Sequence, residues 1–216
     1  VDGLPERVGV GDVNNDGLND LVVVNNSFSN LSLRNHVLVY EQDENGALSL
    51  AAALEYSDSA SSGRGVELMD LDGDDDLEIV VGHFGNLSTV NYDNGAYVMS
   101  ESSGGEGNRV VEAIDLNRDG FKDLVGMHIS QGINVYMSNT EGDLIFDRTI
   151  DIPNASGDDD IEIADLNGDN IEDMAVVNGG TSFFSNLSVY EGDGVGGFVG
   201  RTNYQLCLLY TSPSPR

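Results

Sequence analysis

Lysine is almost missing from this 216-residue chain. Lys122 is the only one, and nine Lys+Arg stand against 38 Asp+Glu for a net charge of −29. A field of that sign repels phosphate backbones and anionic membranes, so composition argues against nucleic acid and membrane partners. Cysteine is equally scarce: Cys207 alone cannot form an internal disulfide and says little about compartment. No apolar run reaches the ~18 residues that span a bilayer, which argues against direct membrane insertion. The longest helix-friendly stretch, 47–55, is too short to dominate a fold. The chain opens on Val1 with no Met and no leader, and is read as a fragment of a longer protein whose signal peptide lies elsewhere.

What the chain does have is acid, and its spacing is regular. Four segments align without gaps: VGVGDVNNDGLNDLVVVN from Val8, VELMDLDGDDDLEIVVGH from Val66, VEAIDLNRDGFKDLVGMH from Val111 and IEIADLNGDNIEDMAVVN from Ile161. Their leading Asp12, Asp70, Asp115 and Asp165 are 58, 45 and 50 residues apart (70−12, 115−70, 165−115). A period near 40–50 residues suits one four-stranded propeller blade per repeat. Each acidic loop lies between a short alternating strand and a more continuous apolar one, 21–24, 79–81, 124–125 and 174–177. A third strand follows (37–41, 87–92, 133–137, 187–191), then a Gly-bearing turn, then a fourth strand (47–56, 96–101, 144–152, 198–204). The expected fold is all-β, with four antiparallel four-stranded blades at about 5–56, 63–102, 108–152 and 158–206. The last ten residues, 207–216, hold no acid and a Thr-Ser-Pro-Ser-Pro run, and are read as a non-native tail.

Each loop reads Asp-x-[Asn/Asp]-x-Asp-x-x-x-[Asp/Glu], with side-chain oxygens at positions 1, 3, 5 and 9 and a backbone carbonyl at position 7. Calcium takes about 6–8 hard oxygen ligands in irregular geometry, and alternate oxygens on a curled loop can converge on it. The candidate ligands are Asp12, Asn14, Asp16, Leu18 carbonyl and Asp20 in loop 1, and Asp70, Asp72, Asp74, Asp76 carbonyl and Glu78 in loop 2. Loop 3 supplies Asp115, Asn117, Asp119, Phe121 carbonyl and Asp123, and loop 4 supplies Asp165, Asn167, Asp169, Ile171 carbonyl and Asp173. Position 6 needs a sharp turn, which Gly17 and Gly120 provide; Asp75 and Asn170 stand there in loops 2 and 4, which are expected to be slightly strained. An EF-hand is excluded, because position 12 is Val23, Val81, Gly126 and Val176 rather than Glu, and the flanks are strands. Sixteen of the 38 acids lie inside the four loops. Up to four Ca²⁺ would relieve that repulsion, and the metal is expected to be structural.

These segments resemble FG-GAP/VCBS-type repeats, similar to the calcium-bearing blades of integrin α-subunit propellers and of many secreted bacterial proteins. The GDVNNDGLNDLVVV run at residues 11–24 carries the resemblance most specifically. The Phe-Gly and Gly-Ala-Pro flanks are eroded, and only Gly82 keeps the glycine after the second strand, which points to the wider bacterial-type group. The resemblance implies a ring of roughly seven blades, an extracellular or cell-surface location, and adhesion or binding of a protein or glycan on the propeller face.

One further register stands out. Position 14 is Asn25, His83, His128 and Asn178, at the strand end opposite the loops, where the four could form a ligand-contacting rim or simply begin a loop. Glu67, Glu112 and Glu162 share a register three residues before the leading Asp and could line a central channel. No nucleophile elbow, phosphate loop or zinc pattern is present. The expectation is a binding module and not an enzyme. The alternatives are the propeller of a secreted polysaccharide lyase or hydrolase, or a structural spacer.

Overall fold

The computed structural model describes residues 4–26, 35–56, 65–83, 86–102, 104–105, 108–128, 132–151, 160–178 and 185–206. The 207–216 tail lies outside them. Among the described residues there are sixteen strands and no helix. Blade 1 contains β1 (Leu4–Gly11), β2 (Asp20–Asn26), β3 (His36–Gln42) and β4 (Leu48–Glu55). Blade 2 contains β5 (Gly65–Met69), β6 (Glu78–Gly82), β7 (Leu87–Asp93) and β8 (Ala96–Glu101). Blade 3 contains β9 (Asn108–Ile114), β10 (Asp123–His128), β11 (Gly132–Ser138) and β12 (Leu144–Asp151). Blade 4 contains β13 (Asp160–Ala164), β14 (Asp173–Asn178), β15 (Ser185–Gly192) and β16 (Phe198–Leu206).

Every sheet is an antiparallel meander in chain order, as the repeat grammar predicts. The first strands β1, β5, β9 and β13 adjoin one another in succession, so they form the inner edge of an arc of propeller blades. Alternation along each strand then sends one set of side chains to the preceding blade and the other to the following blade. Three apolar cores result, and each lies between blades. Val13, Val22, Val24, Val37 and Val39 of blade 1 pack on Ile79, Val81 and Val90 of blade 2. Leu71, Val80 and Leu87 of blade 2 meet Val111, Leu124 and Tyr136 of blade 3. Leu116, Val125, Met127 and Val135 of blade 3 meet Ile161, Met174, Val176 and Tyr190 of blade 4. A blade is therefore held by its neighbours as much as by its own hydrogen bonds, as in other repeat architectures.

Gly82 marks one close approach. A Cβ there would sit 2.8 Å from Val111 Cγ1 and 3.1 Å from the Asn108 carbonyl, so any side chain would push β9 away.

Candidate functional site

The four acidic loops are the β1–β2, β5–β6, β9–β10 and β13–β14 hairpins. All four fold alike, and the leading Asp organises each. Asp12 accepts from Asp16 N through Oδ1 at 3.1 Å and from Gly17 N through Oδ2 at 2.7 Å. Asp115 repeats this with Asp119 N (3.1 Å) and Gly120 N (3.0 Å). Asp70 takes Gly73 N and Asp75 N, and Asp165 takes Gly168 N, Asp169 N and Asn170 N. These backbone donors hold the exposed Asp165 carboxyl below its ordinary range. Position 5 turns the chain onward: Asp16, Asp74, Asp119 and Asp169 each accept from the N–H of position 7.

Strain is distributed differently from the sequence expectation. Both position 4 and position 6 are left-handed in every loop, at Asn15 and Gly17, Gly73 and Asp75, Arg118 and Gly120, and Gly168 and Asn170. Each loop places Gly at one of the two and a side-chain-bearing residue at the other. Loops 2 and 4 are thus no more strained than loop 1, which has Asn15 at φ 62°, and the least suited residue is Arg118 of loop 3, also at φ 62°. The signal was present in the sequence, as a glycine alternating between positions 4 and 6.

Position 9 is the buried member. Asp20, Glu78, Asp123 and Asp173 are all buried. Each accepts from the N–H of position 2: Val13 (3.2 Å), Leu71 (2.9 Å), Leu116 (2.9 Å) and Leu166 (3.1 Å). In blades 1, 3 and 4 its other oxygen accepts from the end of the third strand, Gln42 N (3.0 Å), Ser138 N (2.9 Å) or Gly192 N (3.0 Å). The residue therefore clamps the loop to the sheet. Burial raises the Asp20 and Asp123 carboxyls and pushes Glu78 up to about 7. Among the described residues no cationic side chain forms an ion pair with a loop acid; the ion pair present, Arg148 with Asp147, lies on β12.

In loop 2, carboxylate oxygens of Asp70, Asp72 and Asp74 lie within 4.8 Å of one another. Oxygen-only donors, mutual convergence and a desolvated acid without a cation fit a hard divalent ion of the calcium type. The loops also touch sideways. A Cβ on Gly73 would meet the Phe121 ring at 3.2 Å, and the Arg118 guanidinium donates to the Asn170 carbonyl. The β15–β16 turn reaches loop 3 through Gly196 N to Leu116 O at 3.0 Å.

The position-14 rim needs correction. Asn25 and His83 are fully buried. His83 stacks on Tyr56 of blade 1 (centroids 4.8 Å) and hydrogen-bonds Ser88 Oγ at 3.0 Å, and the Tyr56 hydroxyl donates to the Asn25 carbonyl. The His83–Tyr56 stack joins blades 1 and 2, and neither the Asn25 nor the His83 side chain is exposed to a ligand. The side chains of His128 and Asn178 lie outside the described residues. The glutamate register fares differently. Burial, then the charges of Glu67, Glu162 and Asp160, raise Glu112 to about 7, so the three glutamates share one field on neighbouring inner strands. Two open clefts lie beside them on the loop side. One, of about 460 Å³, has Glu67, Leu77, Phe121 and Lys122 on its walls. The other, of about 330 Å³, has Glu112, Arg118, Lys122 and Glu172.

Residues 12–81 and 115–176 match the family model described as FG-GAP-like repeat. No curated protein sequence matches the chain. Among solved structures, the chain is similar to an Agrocybe aegerita lectin described as recognising non-reducing terminal N-acetylglucosamine (TM-score 0.57, 19% identity). It covers 90% of this chain and 50% of the lectin. A V. cholerae biofilm matrix protein is similar at TM-score 0.57 and 20% identity, over 91% of this chain and 28% of that one. The chain thus spans half or less of these neighbours, and identities so low carry the fold alone.

Proposed function

Because the chain belongs to the FG-GAP-like repeat family, we propose that it is a calcium-stabilised propeller module, working outside the cell, that binds a protein or glycan and does not transform it. The observation that carries this is the loop geometry: converging acids at positions 1, 3 and 5 of loop 2, and in every loop a buried carboxylate at position 9 that has no cationic partner among the described residues. When bound, Ca²⁺ would supply the positive charge these groups lack. Asp12, Asn14, Asp16 and Asp20, with the matching residues of loops 2 to 4, would hold it. Position 9 then has two tasks, gripping the ion and pinning the third strand. An extracellular setting suits such sites, since extracellular calcium modules work at about 10⁻⁴–10⁻³ M. The lectin and matrix-protein neighbours support a glycan or matrix partner. The inter-blade clefts of about 330 and 460 Å³ fall in the size range of small-ligand sites and are where we place a sugar unit.

Isothermal titration of the EDTA-stripped chain with Ca²⁺ tests the metal reading. Up to four equivalents taken up, with one equivalent fewer in Asp70→Asn/Asp72→Asn, is the expected result; no heat and no gain in melting temperature would sink it. A glycan array with and without EDTA tests the ligand reading, and silence in both conditions would count against it.

A further inference from the structure

The four loops share one fold but differ in charge. Within positions 1 to 9, loop 2 holds six acids, Asp70, Asp72, Asp74, Asp75, Asp76 and Glu78, and no base. Loop 4 holds four acids and loop 1 three. Loop 3 also holds three, but Arg118 and Lys122 stand among them, so its net charge is −1 (three acids less two bases) against −6 in loop 2. Position 3 divides the loops in the same way. Asn14, Asn117 and Asn167 each donate a side-chain N–H to the position-5 carboxylate, on Asp16 at 3.2 Å, Asp119 at 2.8 Å and Asp169 at 3.0 Å. Loop 2 has Asp72 there, and an ionised carboxylate has no proton to give. The Asp74 carboxylate lies instead with an oxygen within 4.8 Å of carboxylate oxygens from Asp70 and Asp72. Position 9 differs too. Asp20, Asp123 and Asp173 each place their second oxygen on a third-strand N–H, whereas Glu78 takes Leu71 N through Oε2 and, among the described residues, makes no hydrogen bond to β7. Three loops thus satisfy part of their charge internally. Loop 2 leaves three like charges together and one carboxylate oxygen uncommitted.

We infer that the loops are graded calcium sites: loop 2 fills first, loop 3 fills last, and an ion in loop 2 fixes the outer turn of blade 3 through Asp72. The grading rests on the calcium reading of these loops and adds an order to it. Calcium affinity is set by ligand charge count and by site rigidity. In loop 2 the ion replaces repulsion. In loops 1, 3 and 4 it competes with an Asn N–H for the position-5 carboxylate, and in loop 3 with the charges of Arg118 and Lys122 as well. The position-3 residue also carries the effect onward, because it touches the next blade. A Cβ on Gly142, in the β11–β12 turn, would lie 3.2 Å from Asp72 Cβ, and one on Gly196, in the β15–β16 turn, 3.7 Å from Asn117 Cβ. Falling calcium then frees the blade 4 turn, which rests on loop 3, before the blade 3 turn, which rests on loop 2.

Hydrogen exchange read by mass spectrometry on the whole EDTA-stripped chain, at rising Ca²⁺, resolves the loops. Residues 70–78 and 139–143 should gain protection together, at about tenfold less Ca²⁺ or lower than residues 115–123 require. Asp72→Asn gives loop 2 the position-3 residue that the other loops already carry, so the fold tolerates it. It should raise the Ca²⁺ needed at 70–78 about tenfold and leave 12–20 and 165–173 unmoved. Asn117→Asp should lower the Ca²⁺ needed at 115–123. Protection of all four loops at one Ca²⁺ concentration, protection of 115–123 before 70–78, or an Asp72→Asn midpoint equal to the parent's overturns the grading while leaving the calcium reading in place. No protection at any Ca²⁺ concentration overturns both.

Discussion

Replacing Asp123 separates the two tasks assigned to position 9. Its carboxylate accepts from Leu116 N and Ser138 N, both at 2.9 Å, in a buried site. Alanine leaves both donors without a partner, at about 1–3 kcal/mol each, or about 2–6 kcal/mol in all. Against a typical total of about 5–15 kcal/mol, that loss melts much of the fold. Asparagine keeps one carbonyl oxygen and removes a carboxylate that burial disfavours, so the two changes partly offset one another. In EDTA, Asp123→Asn should therefore cost only about 1 kcal/mol, well short of Asp123→Ala. Calcium changes the comparison. A site filled at 100 times its Kd contributes about 2.7 kcal/mol, and a tenfold loss of affinity lowers that by about 1.4 kcal/mol. Urea denaturation with EDTA and with saturating Ca²⁺ reads both quantities. If Asn and Ala are equally damaging in EDTA, the clamp argument fails; if the calcium increment of Asp123→Asn matches the parent, position 9 is not a ligand.

Two further outcomes follow from buried groups elsewhere. Glu112 has its carboxyl raised from 4.5 to about 7, first by burial and then by Glu67, Glu162 and Asp160. The folded state therefore binds the extra proton, so this group's contribution is full below pH ~4.5 and is lost as pH rises through about 7. Glu112→Gln should raise the melting temperature at pH 8, by the equivalent of about 1–2 kcal/mol once solvent screening is allowed for, and change little at pH 4; equal shifts at both pH values would refute the burial argument. His83→Ala should cost about 2–4 kcal/mol through the lost Tyr56 stack and Ser88 hydrogen bond while leaving ligand affinity intact. Lost ligand binding at unchanged stability, measured by thermal melts beside a binding assay, would return His83 to the ligand surface.

The sequence alone determined the repeat, the strand order within each blade and the oxygen-donor spacing of the loops. Those features are local: nine consecutive residues hold positions 1 to 9 of a loop, and hairpin neighbours pair in chain order, so periodicity and residue type suffice. Tertiary structure decided what long separation hides. That Asp20 reaches Gln42 N, 22 residues on, depends on the register of β2 against β3. That His83 lies against Tyr56, and so leaves the proposed rim, depends on how blade 2 packs on blade 1. Whether Val8 or Leu166 is core or surface depends only on whether another blade stands beside it. A single repeat encodes both of its faces, but burial is a property of the pair.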